Sequence, residues 1–134
     1  MRHLTKFLLV AIFGLYTWAS PSGAQALSLG EKAELQAAMQ RHVDRQSVEG
    51  TYPALDAESG TMLRLHPVTA HPMILQMGDN FVLCFDFRDD KGADVPVDFY
   101  ITRKEDSYVV FHMAARNREL LHSLMKAGKV TRSD

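Results

Sequence analysis

The stretch Phe81-Val82-Leu83-Cys84-Phe85-Asp86-Phe87-Arg88 places a large apolar side chain at every second position. Successive side chains of a β-strand point to opposite faces of its sheet, so this alternation predicts a strand with one buried face. The same alternation continues in Val95–Thr102 and in Tyr108–Ala114, and the turn-forming segments Asp89–Gly92 and Lys104–Ser107 separate the three runs. Three such runs in succession predict an antiparallel meander.

The aromatic-rich side of these runs is the predicted core face. A helix earlier in the chain is expected to cross it, because that helix carries a matching apolar stripe. The side chains expected to be mostly buried are Leu35, Met39, Val43, Leu83, Phe85, Val97, Phe99, Ile101, Val109, Phe111 and Met113. Smaller and more polar residues are left on the opposite face of the sheet.

Two helices are predicted, one at each end of the sheet region. Ser28 and Glu31 form a capping box, and the apolar spacing that follows predicts a helix over about 29–46. Asn117 can cap a second, shorter helix, and Gly128 stands where a glycine ends one. The last four residues, 131–134, are expected to fray.

Further short strands are predicted between the first helix and the meander. They cover Thr51–Leu55, Met62–Val68 and His71–Gln76, the last as a separate strand or as a continuation past a bend. The His66-Pro67 and His71-Pro72 pairs predict edge positions, because proline cannot donate to a sheet ladder. The order helix, strands, helix predicts an α+β fold: an N-terminal helix packed on a curved antiparallel meander sheet, with a short C-terminal helix.

Composition fits one ordinary globular domain. Of the 134 residues, 46% are apolar and 23% are charged, the formal net charge is −1, and there is one Cys. These values exclude a disordered chain, a disulfide scaffold and a strongly basic nucleic-acid-binding protein. We expect no cofactor and no nucleic-acid partner.

Residues 1–26 have the features of a secretory signal peptide. Arg2 and Lys6 give a positive start, Phe7–Tyr16 is an apolar run, and Ala24-Gln25-Ala26 supplies a cleavage pattern. We expect cleavage after Ala26, which leaves a single domain, 27–134, in the periplasm or secreted, without stable membrane insertion. A retained anchor is the alternative, but the apolar run is well short of the roughly 20 residues that span a bilayer.

Several segments of the chain together carry a resemblance to a known group of proteins. They are Gly50-Thr51-Tyr52, Asp56–Gly60, His71, Gly78-Asp79, Phe81–Asp89, Gly92 and Val97–Tyr100. With these segments the chain resembles small exported bacterial domains of unknown function, a resemblance that implies no activity. The layout is also similar to the cystatin-like and NTF2-like architectures, whose members include inhibitors, binders, isomerases and assembly factors.

One polar constellation is a candidate site. If the two hairpin turns centre on Lys91 and Glu105, then Cys84, Asp98 and His112 form a row across three strands, with Asp86 and Tyr100 nearby. Cys84 and His112 would then lie roughly 9–10 Å apart, beyond the reach that a cysteine nucleophile needs. The favoured interpretation is that Asp98 orients His112 while Cys84 packs as a small buried residue; a polar lining for a ligand pocket is the alternative.

Metal sites have weak support in the sequence. His66, His71 and His112 with Asp86 or Asp98 supply suitable ligand types, but no spacing typical of a metal site connects them. The acidic run from Asp86 to Asp98 fails the calcium-loop template, so a solvated turn is favoured.

The function hypothesis is a small binding or interaction module without catalysis, with an unknown protein or small molecule as its partner. The alternative is an acid–base enzyme, an isomerase or hydrolase with an NTF2-like pocket, in which Asp98 or Asp86 is the base and Tyr100 and His112 donate hydrogen bonds. A homodimer is a further possibility, because the acidic hairpin and the basic C-terminal third could orient a head-to-tail pair.

Overall fold

A computed structural model describes residues 26–133 of the chain. Residues 1–25, which hold almost all of the expected signal peptide, lie outside the described residues, as does Asp134. No helix among the described residues combines the length and the apolar character needed to cross a membrane.

The elements follow the predicted order of helix, strands and helix. Their bounds are α1 Leu29–Gln46, β1 Tyr52–Leu55, β2 Met62–Met77, β3 Asn80–Arg88, β4 Asp94–Lys104, β5 Ser107–Ala115, α2 Arg118–Lys126 and β6 Thr131–Arg132. Strands β1 to β5 form an antiparallel meander in sequence order, and β6 pairs with β2. The predicted α+β layout is confirmed.

Helix α1 begins and ends where the sequence predicts. The Ser28 hydroxyl accepts from the Glu31 amide at 3.2 Å, and the Glu31 carboxylate accepts from the Ser28 amide at 3.0 Å, which completes the capping box. The helix buries Leu35, Met39 and Val43 against the aromatic face of the sheet. Because α1 contacts both outer strands, β1 and β5, the sheet curls around it.

Helix α2 covers the opposite face of the sheet. Asn117 caps it as predicted, with its side chain accepting from the Leu120 amide at 3.3 Å. Leu121 is buried in a second, smaller core that includes Val82, Cys84 and Tyr100. Helix α2 therefore covers the sheet face that carries the polar candidates, and that face is not an open one.

Strand β2 is one long irregular strand, so His71–Gln76 is the continuation past an irregularity and not a separate strand. Its register against β3 shifts between Pro67 and Thr69 and again between Ala70 and Ile74. β1 pairs with one end of β2 and β6 with the other, so among residues 26–133 no strand pairs on that side with the middle segment, where both prolines lie. The expectation that residues 131–134 fray is wrong for Thr131 and Arg132, which form β6.

Strand β5 departs from the predicted alternation at a bulge. Ile101 of β4 pairs with Val110, but the preceding residue, Tyr100, pairs with His112, so Phe111 is an extra residue in β5. The extra residue reverses which side chains face α1 in the first half of the strand. Tyr108 is buried in the main core and Phe111 is 52% exposed, so Phe111 was wrongly placed in the core.

The rest of the predicted core is largely confirmed. Met113 is half-buried against the main core. Val109 is half-buried too, but it lies in the reversed half of β5, where Val110 and not Val109 packs against that core, so Val109 was also assigned to the wrong face. The remaining eight residues are buried, each less than 5% exposed: Leu35, Met39, Val43, Leu83, Phe85, Val97, Phe99 and Ile101.

Candidate functional site

The bulge in β5 changes the predicted polar row. Cys84 lies opposite Asp98, as the first hairpin predicted, but Asp98 lies opposite Ala114 and not opposite His112. His112 pairs with Tyr100, and their ring centroids are 5.4 Å apart. The predicted Asp98–His112 pairing is therefore wrong by two residues. Lys104 lies opposite Ser107, so the turn centres between Glu105 and Asp106 and shifts the register by one residue, and the bulge at Phe111 adds the second.

The partner of Asp98 is Arg118, the first residue of α2. Arg118 Nη1 lies 3.1 Å from Asp98 Oδ1 and 3.4 Å from Cys84 Sγ, so one guanidinium contacts both groups. Asp98 is 1% exposed and Arg118 is 32% exposed. Burial raises the pKa of the Asp98 carboxyl, while contacts with Cys84 and Arg118 act in the opposite direction.

Cys84 is buried and held in its thiol form. Burial, and secondarily the Asp98 carboxylate, raises the pKa of Cys84 to about 12. A thiol with such a pKa is a poor nucleophile at neutral pH, because the reactive form is the thiolate. The geometry thus favours Cys84 as a packing residue under α2.

Tyr100 is the third member of this buried group. Among residues 26–133, its buried hydroxyl has no hydrogen-bond partner, and Asp98 Oδ1 has ion-pair contact with Arg118 without a well-aligned hydrogen bond. Burial raises the pKa of Tyr100 to about 12. The Tyr100 phenol therefore stays protonated at neutral pH.

The acidic run from Asp86 to Asp98 is matched residue by residue with basic groups. Each of its five aspartates lies within ion-pair distance of one: Asp86 of His71, Asp89 of Arg116, Asp90 of His66, Asp94 of Arg88 and Asp98 of Arg118. Within 26–133, no three His, Cys, Asp or Glu side chains gather in a way that could hold a metal ion.

A groove between α1 and the edge strand β5 is the second candidate site. It has a volume of about 400 Å³. His42 Nε2 lies 3.1 Å from the Tyr52 hydroxyl at its base, and the His42 ring packs edge-on against Phe99 at 5.6 Å. The remaining lining residues are Gln46, Val110, Phe111, His112 and Met113.

The His42–Tyr52 pair is uncharged at neutral pH. Burial, assisted by the positive charge of Arg45, lowers the pKa of His42. Burial also raises the pKa of Tyr52. The base of the groove therefore offers neutral hydrogen-bonding groups beside the exposed ring of Phe111.

Sequence reasoning missed Arg118, His42 and Tyr52, although two of them leave a signal. Arg118 stands in the first turn of a helix, where a positive charge is unfavourable unless an acid lies nearby. His42 follows Leu35 and Met39 on the apolar stripe of α1 and so had to meet a polar partner in the core. The sequence around Tyr52 predicts a strand and gives no sign of its contact with His42.

The structure thus separates the predicted candidates into two groups. Cys84, Asp98 and Tyr100 lie together under α2, and Asp86 pairs with His71 at the rim of that face. His112 lines the groove beside β5. Comparisons of the chain with protein-family models, with curated protein sequences and with solved structures found no significant match.

Proposed function

We propose that this chain is a small exported module, periplasmic or secreted, that binds a partner without catalysing a reaction. The observation that carries the proposal is the contrast between the two candidate sites. The acid that an acid–base enzyme would use, Asp98, is 1% exposed and paired with Arg118, whereas the groove beside β5 opens to solvent. Export is inferred from the leader-like residues 1–26.

The groove chemistry indicates the class of ligand. His42 and Tyr52 are neutral, Gln46 adds an amide, and Phe111 offers an exposed aromatic ring. Such a lining suits an uncharged ligand with a planar apolar part and an amide-like polar part, since the lining residues include no Asp, Glu, Lys or Arg.

Titration with benzamide, followed by NMR of the ¹⁵N-labelled protein, tests this proposal. Benzamide combines an aromatic ring with a neutral amide. We expect shift changes confined to the amides and rings around His42, Tyr52 and His112, with saturation in the millimolar range typical of a fragment.

Matched histidine variants sharpen the test. His112→Ala should weaken benzamide binding at least threefold, and His66→Ala, at another exposed histidine, on β2, should leave it unchanged. Shifts centred on Asp98 and Cys84, or equal effects of both variants, would contradict the groove as the binding surface.

A further inference from the structure

The groove beside β5 is lined, among residues 26–133, by two histidines and by no other side chain that changes charge near neutral pH. His42 lies at its base on α1, and His112 lies on β5. The other lining residues are Gln46, Tyr52, Val110, Phe111 and Met113. Histidine is the one side chain whose ordinary pKa lies between pH 5 and 8. Acidification therefore changes the charge of this lining through two residues alone.

The two groove histidines differ from histidines elsewhere on the sheet, which lie against carboxylates. His66 Nε2 is 2.8 Å from Asp90 Oδ1, and His71 Nε2 is 2.7 Å from Asp86 Oδ2. Within the described range, neither groove histidine lies at ion-pair distance from an acid, and the lining contains no Asp or Glu. A positive charge that forms in the groove therefore meets no opposite charge from the lining.

The groups that surround His42 leave such a charge unbalanced. Burial, and then the positive charge of Arg45 one turn along α1, lowers the pKa of His42. Tyr52 of β1 and Phe99 of β4 face the ring from the sheet, and both are neutral. Because a hydroxyl can donate or accept, the 3.1 Å contact between His42 Nε2 and Tyr52 persists when the ring gains its second proton.

The side chain opposite His112 is uncharged as well. It is Tyr100 of β4, and the two ring centroids are 5.4 Å apart. Burial raises the pKa of Tyr100 to about 12, so the phenol is neutral. Asp98, two residues away in β4, is 1% exposed, is paired with Arg118 and is not part of the groove lining. A proton on His112 therefore adds a positive charge that the groove itself does not neutralise.

From this lining we propose that the groove takes a second class of ligand, a carboxylate attached to a planar apolar group, when His42 and His112 are protonated. The carboxylate supplies the negative charge that the lining lacks, and the exposed ring of Phe111 contacts the apolar group. This inference rests on the proposed function, because it adds a ligand class and a dependence on pH to the same groove.

Benzoate and benzamide are matched probes for this inference. They have nearly the same shape, and between pH 5.5 and 7.5 benzoate is ionised whereas benzamide is uncharged. NMR titrations of the ¹⁵N-labelled protein give both dissociation constants at the two pH values. We expect benzoate to bind about fivefold more tightly at pH 5.5 than at pH 7.5, a gain in keeping with one or two solvent-screened charge pairs, and benzamide to change less than about twofold.

The titration of His42 provides a second readout. Binding of benzoate favours the protonated ring, so by linkage the midpoint of the His42 ring-proton titration should rise by about half a pH unit in saturating benzoate. Saturating benzamide should leave this midpoint in place. A midpoint that benzoate does not move would overturn the inference.

Glutamine variants test whether the two histidines cause the effect, because glutamine is polar but gains no charge. His112→Gln, at an exposed position, should reduce the pH-dependent gain in benzoate affinity, and the His42→Gln/His112→Gln double variant should abolish it. His66→Gln removes an exposed histidine outside the groove and should leave the gain unchanged. Thermal melts at both pH values establish that each variant folds, and His112→Gln alone decides the matter if the double variant does not.

Two further outcomes would overturn the inference: equal benzoate affinity at both pH values, or a gain of the same size in His112→Gln as in the wild type. If benzamide still produces shift changes around His42 and Tyr52, the proposed function stands without the second ligand class. Benzamide shifts that lie elsewhere on the protein would contradict the proposed function itself.

Discussion

At the scale of single residues, burial determines the chemistry of the face under α2. Cys84 and Asp98 are neighbours across two strands, yet the largest influence on the pKa of each is loss of solvent, which raises both. Arg118, on α2, supplies the positive charge that offsets the negative charge of Asp98. The result is a group of polar atoms whose arrangement favours packing over reaction.

The first prediction concerns the reactivity of Cys84. With its pKa raised from 9.0 to about 12, the thiolate fraction at pH 8 falls roughly 1000-fold. We expect iodoacetamide to label the folded protein at least 100-fold more slowly than the protein in 6 M guanidinium, as measured by mass spectrometry. Labelling of the folded protein at the rate of a free, activated thiol would contradict the packing role.

The same pKa shift predicts a loss of stability in alkali. A group whose pKa is raised on folding contributes stability that is complete below the unfolded value, 9.0, and is lost as pH rises toward the folded value, about 12. Replacement of Cys84 by Ser should therefore flatten the decline in the free energy of unfolding between these values. A decline of unchanged slope in the variant would assign it to other groups, such as Tyr100.

The second prediction tests the Asp98–Arg118 pair. Arg118→Ala leaves a buried carboxylate without its counter-charge and should lower the free energy of unfolding by about 3 kcal/mol. Arg88→Ala breaks the Arg88–Asp94 pair, whose two side chains are exposed, and should cost less than about 0.5 kcal/mol. Urea denaturation at pH 7 measures the free energy of unfolding of both variants. Equal losses would contradict the larger contribution of the buried Asp98–Arg118 pair to stability.

At the scale of elements, the bulge in β5 decides which side chains form the core. Alternation predicted the inner faces of β3 and β4 correctly, because both strands keep a regular register. In β5, the extra residue Phe111 puts Tyr108 into the core and itself toward solvent. The same bulge, together with a turn that centres between Glu105 and Asp106, places Ala114 opposite Asp98, and His112 lines the groove.

The third prediction follows from this assignment of faces. Phe99 is fully buried and contacts the rings of His42, Tyr52 and Phe87, so Phe99→Ala should cost about 3–5 kcal/mol. Phe111→Ala removes a half-exposed ring and should cost less than about 1 kcal/mol. Both values come from urea melts at a protein concentration low enough to keep the chain monomeric. A larger cost for Phe111 would show that the faces of β5 are reversed.

At the scale of the whole molecule, Arg116 ties together two turns that are distant in sequence. Its guanidinium lies 3.6 Å from Asp56 Oδ2 and 2.7 Å from Asp89 Oδ2. Each aspartate also accepts two backbone amides of its own turn through Oδ1. The end of β5 is thus linked to the β1–β2 turn and to the β3–β4 turn.

The fourth prediction concerns acid stability. Backbone hydrogen bonds, and then Arg116, lower the pKa of Asp56 and of Asp89. The stability that such groups contribute is present above the unfolded pKa, about 3.9, and is lost as pH falls through the folded value. The Asp56→Asn/Asp89→Asn double variant should therefore show a shallower loss of stability below pH 4 in urea titrations.

Asp106→Asn is the matched control for that experiment. Asp106 is exposed and forms no ion pair within the described range, so its replacement should leave the loss of stability below pH 4 unchanged. If the free energy of unfolding falls equally steeply below pH 4 in the wild type and in the double variant, the Asp56 and Asp89 carboxylates do not contribute to acid stability in the way proposed.

The amino-acid sequence by itself determined the local structure of this protein. The capping box set the start of α1, Asn117 set the start of α2, and the alternation in Phe81–Arg88 and Val95–Thr102 set the inner face of the sheet. These features depend on residues close together in the chain, where hydrogen-bonding patterns and hydrophobic periodicity act directly.

Tertiary structure alone decided the candidate sites. The position of the β4–β5 turn and one extra residue in β5 together changed the partner of Asp98. The packing of α2 brought Arg118 onto Asp98 and Cys84, and the curl of the sheet brought Tyr52 to His42. Each contact joins residues that are at least ten positions apart, and in a sheet an error of one residue in register moves a side chain to the other face. Periodicity carries no information on such distant pairings, so the groove and the buried ion pair emerged only from the folded chain.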